Sequence, residues 1–337
     1  MKVLAAGDHF VLNTLIAEAL RRRLDDTALH LSELSLPWPL EPFGKVAEVD
    51  EASDAEDALI EALDGVEVCV TQMAPFTERV LAAAPALRMI AVCRGGPVNV
   101  NVAAARARGV RVCFAPGRNA AATAEFTIGL MLAALRGIPD AHDSLARRAL
   151  WDASYYTYER CGPELEDTPV GLIGYGAVGS RVARVLSAFG AEVEVYDPYV
   201  RGDVHGMRAP SLDSLLARSR VVTLHARLTP ETRGLIGARE LALMPRGSVL
   251  VNAARGGLVR TDALCDALDG GQLAAAALDT YEQEPPAPGS RLLKTPNLVL
   301  TPHLGGASRA VAHKAAAIAA AEVERYARGE PLAHCLT

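Results

Sequence analysis

The segment that most constrains this chain is Gly174-Tyr175-Gly176-Ala177-Val178-Gly179, which follows the apolar run Pro169–Ile173 and opens an amphipathic stretch over 177–189. Glycines at that spacing, with a strand before and a helix after, have a well-defined physical use. Gly174 permits the tight turn, Gly176 lets a pyrophosphate approach the backbone, and Gly179 lets the helix pack close to the strand. Amides of the first helical turn, those of Ala177 and Val178 among them, then meet negative phosphate. Asp197 ends the next apolar run, 23 positions after Gly174. A carboxylate there accepts hydrogen bonds from a ribose diol and repels a 2′-phosphate, so NAD is the expected cofactor. A glycine turn that binds nothing needs no such combination of strand, helix and acid.

Around this unit, short apolar runs alternate with amphipathic patterns, the mark of parallel sheets with helical crossovers. Before the fingerprint, strands are expected at 3–5, 66–70, 89–92 and 110–112, and helices near 11–23, 54–63, 77–84 and 101–108. Residues 33–45, with Pro37, Pro39 and Pro42, read as a loop. A helix of small and apolar residues runs over 119–136, and an irregular aromatic stretch fills 150–168. Further strands are expected at 192–196, 221–224, 249–251, 274–278 and 298–300, with helices at 211–218 and 308–328. The fold class is α/β.

Composition narrows the function. A chain of 337 residues, half of them hydrophobic, is expected to form two domains with large cores and is not disordered. Its net charge of −6 argues against a general polyanion binder, so no nucleic-acid partner is expected. Only four of the 34 basic residues are lysines, which reads as compositional bias. Cysteines 69, 93, 113, 161, 265 and 335 have no CxxC spacing, so neither a metal site nor a disulfide framework is expected. The N-terminus turns polar too early for a secretory signal, and no apolar run reaches the length of a membrane span. A cytoplasmic protein without membrane partners is the expectation.

Three segments stand where later strands should end: Asn252-Ala253-Ala254-Arg255-Gly256-Gly257, Asp279-Thr280-Tyr281-Glu282-Gln283-Glu284-Pro285 and Thr301-Pro302-His303-Leu304-Gly305-Gly306. Hydride transfer at a 2-oxo acid calls for such a set. A guanidinium grips the carboxylate and polarises the carbonyl, an imidazole exchanges the hydroxyl proton, and a carboxylate orients the imidazole and favours its protonated form. Taken singly, Arg255 reads as a surface arginine, Glu284 as a solvated turn residue and His303 as a loop histidine. Their order after a nucleotide fingerprint makes them a site.

Through EFTIGLML, VGLIGYGAVGSRVA, HARLTPETRGLI, NAARGGLVRTDAL, ALDTYEQEP and TPHLGG, the chain resembles the D-isomer-specific 2-hydroxyacid dehydrogenases of the phosphoglycerate, glyoxylate and D-lactate dehydrogenase type. The resemblance covers nearly the whole chain. It implies two Rossmann-like/flavodoxin-like parallel-sheet domains with an interdomain active-site cleft: a discontinuous outer domain of 1–116 and 304–337, and an NAD-binding domain of 117–303. By the same resemblance Arg255 binds substrate, Glu284 is the carboxylate partner, His303 is the acid/base and Asp279 holds the nicotinamide carboxamide. Thr123, His225, Ala226 and Ala253 are expected to line the cofactor. The Arg255–Glu284 interval of 29 suits the family. Residues near 119–151 resemble its dimerisation helix and arm, with Trp151 either reaching a partner's active site or capping its own subunit's core, so a homodimer is expected.

Two segments depart from commoner members. The loop Cys93-Arg94-Gly95-Gly96-Pro97-Val98-Asn99 keeps two glycines whose amides suit a carboxylate, but Arg94 adds a charge. If Arg94 faces the substrate, a second anionic group is the expected distal feature; Arg118 either reaches the same place or forms a surface ion pair. Tyr155, Tyr156, Tyr158 and Arg160 are either substrate-facing or a packed linker. Arg227 stands where many relatives have proline, which softens the NAD preference. Only 34 residues follow His303, so no C-terminal amino-acid-binding regulatory domain and no feedback by serine are expected. The leading reading is NAD(H)-dependent interconversion of a short 2-oxo acid and its D-2-hydroxy acid. Formate oxidation would put Gln where Glu284 stands. A phosphite-type dehydrogenase and an NAD(H)-sensing, corepressor-like binding protein remain open alternatives.

Overall fold

Strand alternation and helical spacing build two separate units, one of residues 1–119 with 307–337 and one of 120–306. The computed structural model describes residues 1–25, 29–38 and 44–337.

In the first unit, strands β1 (Lys2–Gly7), β2 (His30–Ser35), β3 (Val68–Thr71), β4 (Met89–Val92) and β5 (Arg111–Phe114) form a parallel sheet in the order β2-β1-β3-β4-β5. Alternate side chains go to opposite faces. Leu4 and Ala6 join Leu59, Phe76 and Leu81 in one core, covered by helices α2 (Glu56–Ala62), α3 (Glu78–Ala83) and α4 (Val102–Ala107); α1 (Asn13–Arg21) lies on the other face. There Val3 and Ala5 pack with Ile16 and Leu20 and with the closing helix, Arg309–Ala327. That helix buries Ala312, Ala315, Ala316, Ala319, Ala320 and Val323, a stripe at helical spacing whose small side chains let its axis approach the sheet closely. Local caps set the short helices: Thr77 Oγ1 accepts the Val80 amide, and Asn101 Oδ1 accepts that of Ala104.

One expectation fails here. Residues 33–35 are not loop; they complete β2, which pairs with β1 over six residues. As an edge strand with mostly exposed side chains, HLSELS carries too little apolar alternation to be read from sequence. Pro37 follows this strand, while Pro39 and Pro42 lie outside the described residues.

The second unit is a seven-stranded parallel sheet of β6 (Pro169–Ile173), β7 (Glu192–Tyr196), β8 (Met207–Arg208), β9 (Val221–Leu224), β10 (Ser248–Asn252), β11 (Leu273–Leu278) and β12 (Leu298–Leu300), ordered β12-β11-β10-β9-β6-β7-β8. Helix α5 (Ala120–Leu135) covers one face and ends where the sequence puts it; at Gly137, whose φ is +58°, the chain bends by 67° into α6 (Ile138–Ala146), a helix the sequence reading did not include. Helix α7 (Gly179–Ala188) shares the α5 face, while α8 (Leu212–Arg218), α9 (Ala238–Leu243) and α10 (Thr261–Asp269) cover the other. Among the described residues no single helix is long and apolar enough to cross a membrane. Because both sheets are parallel, the loop after every strand leaves at the same edge, where such sheets bind ligands.

Candidate active site

The fingerprint turn sits where the second sheet reverses its order, between β6 and β9. A Cβ on Gly174 (φ +94°) would lie 2.6–2.8 Å from the backbone of His225 and Ala226, and one on Gly179 would lie 2.1 Å from the Gly174 carbonyl oxygen. Both glycines are therefore dictated by close backbone approach. At Gly176 a Cβ would meet nothing within 4 Å, so open space lies over the turn at the α7 N-terminus, beside Ala177 and Val178. Asp197, just past β7, accepts the Tyr175 amide on Oδ2 at 2.7 Å and the Tyr199 amide on Oδ1 at 2.8 Å. Its carboxylate is thereby fixed on the rim of the turn.

His225 leaves β9 with its Nε2 3.0 Å from Thr223 Oγ1, and burial pushes its ring down to about 3. It is a neutral wall, not an acid. Ala253 is buried just past β10. Thr123, on α5, lies beside Gly305, whose added Cβ would meet Thr123 Cγ2 at 3.6 Å and Asp279 Oδ2 at 3.0 Å. The buried Thr123 Oγ1 has no hydrogen-bond partner among the described residues. An open turn over helix amides, a fixed carboxylate and an orphaned hydroxyl on one sheet edge fit a dinucleotide. Arg227 is exposed just past β9, its carbonyl accepting the Thr232 hydroxyl.

The candidate chemistry gathers at the ends of β10, β11 and β12. His303 Nδ1 is 2.7 Å from Glu284 Oε2, while Oε1 of the same carboxylate accepts the Tyr281 amide at 2.9 Å. Burial alone would raise the Glu284 carboxyl. The His303 hydrogen bond and charge, the Tyr281 amide and the charge of Arg255 outweigh that and hold it below the ordinary carboxylate range. An ionised Glu284 makes His303 the donor at Nδ1. Arg255, three residues past β10, is exposed and donates from Nη1 to the Ala254 carbonyl at 2.7 Å. Gly256 fixes how closely this loop approaches the Glu284 segment, since a Cβ there would lie 1.8 Å from the Tyr281 carbonyl carbon.

His303 itself is held in the left-handed region, at φ +55°. The restraint comes from Asp279, which is 1% exposed. Its Oδ1 accepts the Thr301 hydroxyl at 2.6 Å and the Leu304 amide at 2.7 Å, and its Oδ2 accepts the Gly305 amide at 2.7 Å. Sequence did not foresee this buttress, nor the roles of Tyr281 and Thr301. The Tyr281 hydroxyl, pushed up to about 12 by burial, donates to the Thr301 carbonyl at 2.8 Å. Amide contacts leave no residue-type signal, so only Asp279 and Thr301 were findable in the pattern.

In the first unit, Gly95 and Gly96 follow β4 with open space at both Cβ positions. Arg94 is paired with Glu51, through both its carboxylate and its carbonyl, and is not the isolated cation that the sequence argument envisaged. Arg160 bonds Asp152 at 3.1 Å and stacks 4.1 Å over the Tyr155 ring, a local packing of the irregular stretch. Tyr156, Tyr158 and Trp151 are almost wholly exposed.

Residues 128–305 match the family described as D-isomer specific 2-hydroxyacid dehydrogenase, NAD binding domain, and they fall inside the second unit. A glyoxylate reductase of Thermofilum pendens is 39% identical over 74% of this chain and 75% of its own length. A D-3-phosphoglycerate dehydrogenase of Archaeoglobus fulgidus is 38% identical over 86% of this chain. The chain spans about half the length of that relative, 54%. The solved structure of the TT0316 protein from Thermus thermophilus superposes with a TM-score of 0.81 at 31% identity, covering the whole of both chains.

Proposed function

Because the chain belongs to the D-isomer specific 2-hydroxyacid dehydrogenase family, we propose that it interconverts a short 2-oxo acid and its D-2-hydroxy acid with NAD(H). The observation that carries this reading is the Glu284–His303 pair at 2.7 Å, on the same sheet edge as Arg255 and the fingerprint turn. Held over the fingerprint turn, a nicotinamide cofactor would supply the hydride for C2 of the 2-oxo acid, or take it up in the reverse direction. Arg255 grips the carboxylate and draws charge from the carbonyl oxygen with its planar fork. With Nδ1 committed to Glu284, His303 delivers the proton to that oxygen from Nε2. Glu284 offsets the charge of the imidazolium before transfer and holds the ring's orientation afterwards. Asp279 fixes the turn that aims His303. In the hydroxy-acid direction His303 takes the hydroxyl proton instead.

Gly95 and Gly96 are assigned to the substrate carboxylate through their amides, and Asp197 to the adenosine ribose. Asp197 also disfavours NADP, whose extra phosphate would meet a fixed carboxylate. For assembly we propose a homodimer through α6 and the residues after it, where Ile138, Leu145, Leu150 and Trp151 are 50–83% exposed; exposed apolar groups clustered on one segment favour a partner surface. The intact Arg255, Glu284 and His303 set favours an enzyme over a binding protein that only senses NAD(H). Following NADH absorbance against a panel of 2-oxo acids tests the reading: turnover supports it, and NADH binding without turnover of any of them refutes it.

A further inference from the structure

The outer edge of the first sheet is covered by the chain itself. Strand β5 is the last of that sheet, and residues 334–337 run antiparallel along its free side. The Phe114 amide donates to the His334 carbonyl at 3.1 Å, and the Leu336 amide donates to the Val112 carbonyl at 2.9 Å. Thr337 Oγ1 accepts the Val112 amide at 2.9 Å and donates to the Val110 carbonyl at 3.0 Å. The two main-chain bonds flank one residue on each side, Cys113 and Cys335, which face each other across the bridge. This is the non-hydrogen-bonded kind of antiparallel pair, which brings facing Cα atoms to about 4.5 Å with both side chains on one face. A disulfide spans Cα separations of roughly 4.4–6.8 Å.

Both thiols are free, and they differ in exposure. Cys113 is 1% exposed, in the core shared with the closing helix, while the half-buried Cys335 packs against that core. Burial, the Cys335 thiol and the Glu322 carboxylate all push the Cys113 thiol above its ordinary range, so it keeps its proton until a base takes it. Glu322 is that base in place: it is buried on the closing helix, and its Oε2 accepts the Ala333 amide at 3.0 Å. The other cysteines offer no such arrangement. Cys69, Cys93 and Cys265 are wholly buried, and Cys161 is exposed against the Tyr155 carbonyl at 3.8 Å.

We propose that Cys113 and Cys335 form a peroxide-responsive modification site, which closes as a disulfide and fastens residues 334–337 to β5. The site lies wholly in the first unit and is independent of the dehydrogenase reading. The Cys335 thiolate attacks one peroxide oxygen, the O–O bond breaks, and the other oxygen leaves, protonated, as water; Cys335 is then a sulfenic acid. The Cys113 sulfur attacks the Cys335 sulfur and gives its proton to Glu322. The S–O bond breaks, and the hydroxide takes that proton and leaves as water. Two thiols have lost two electrons and two protons, and one peroxide has become two waters. A small thiol reverses the bond by exchange. The first unit is made of residues 1–119 and 307–337, so the bond joins its two segments covalently across 222 positions of sequence. Closing so long a loop strongly restricts the unfolded chain.

The intact protein, reduced and then treated with hydrogen peroxide, is digested without reductant and mapped by mass spectrometry. A linked Cys113–Cys335 peptide pair, lighter than the reduced peptides by two hydrogens, should form. The Tm of the oxidised protein should lie at least about 5 °C above that of the reduced one and return with dithiothreitol. Cys335→Ser, at the rim of the core, should abolish both effects. Cys113→Ala, which deprives Cys335 of its partner, should instead let Cys335 proceed to the sulfinic acid. In the parent, Cys335 oxidised beyond the disulfide while Cys113 stays reduced overturns the proposal, as does oxidation confined to Cys161 or none at all. A linked pair with unchanged Tm overturns the fastening.

Discussion

Replacing Asp279 should damage the site through His303 rather than through the cofactor. Its carboxylate takes three short hydrogen bonds at 1% exposure, two of them from the amides that follow His303. Hydrogen bonds to an ionised group contribute about 1.5–3 kcal/mol each, and a left-handed residue costs about 1–2 kcal/mol to hold. Asp279→Ala leaves the Leu304 and Gly305 amides unpaired, and His303 at φ +55° loses its restraint. The expected loss of stability is about 3–5 kcal/mol. Asp279→Asn is the gentler probe: one oxygen can still serve Thr301 and Leu304, but an NH2 group then opposes the Gly305 amide, at a cost of about 1–3 kcal/mol. A displacement of His303 by about 1 Å is worth roughly a hundredfold in rate. Asp279→Asn should therefore lower kcat for 2-oxo acid reduction about a hundredfold while NADH binding, followed by fluorescence titration, changes less than about threefold. The carboxamide role implied by resemblance predicts the reverse, weak NADH binding with kcat largely kept. That outcome, or an Asp279→Asn variant as stable and active as the parent, refutes the buttress.

Glu284→Gln removes the carboxylate that accepts from His303 Nδ1 and should lower kcat for 2-oxo acid reduction at least about tenfold; near-parental kcat in a folded variant would mean that the pair does not orient the ring. Because the Glu284 carboxyl is held below its ordinary range, its contribution to stability is present above that range and is lost as pH falls through the lowered value, and acid unfolding of Glu284→Gln should lack this component. Arg255→Lys should lose at least about tenfold in kcat/KM, roughly 1.4 kcal/mol of transition-state stabilisation, since an ammonium cannot span carboxylate and carbonyl; near-parental kinetics would mean the substrate is held elsewhere. Asp197→Ala should narrow the preference for NADH over NADPH, and equal kcat/KM with both cofactors in the parent would sink the ribose assignment. Neutral His225, pushed down to about 3, destabilises the fold as pH falls below its ordinary value of 6.5, because the unfolded chain takes up a proton there that the folded one refuses. His225→Gln should flatten that acid limb, as measured by denaturant titration from neutral pH to pH 4.

What could be read from sequence was what periodicity and residue type encode. Strands buried on both faces, such as Met89–Val92 and Val221–Leu224, stood out as continuous apolar runs between turn residues. The edge strands did not. β2 is mostly exposed, and β8 is two exposed residues long, so neither presents a pattern to detect. The helix expected over 119–136 ends where α5 does, but α6 beyond Gly137 was missed, because IPDAHDSLA buries only Ser144 and so shows no apolar stripe.

The site divides along the same line. Arg255, Glu284 and His303 were legible because their chemistry lives in their side chains. Gly174 and Gly179 of the fingerprint were legible because each answers a steric demand that only glycine meets, as the contacts that added Cβ atoms would make bear out, while Gly176 faces open space. What remained hidden is the support. The Tyr281 amide that fixes Glu284 and the Leu304 and Gly305 amides that fix the His303 turn are backbone groups every residue but proline possesses. The same blindness operates in the first unit, where sequence pointed to the charged Arg94, which folding pairs with Glu51. Gln72, a neutral residue without motif or spacing, drew no notice, although its carbonyl oxygen is left buried and unpaired at a reversal of strand order. Charge is visible in sequence, but pairing is decided by the fold, so a charged residue can be silenced and a neutral one left unpaired without any change in what the sequence displays.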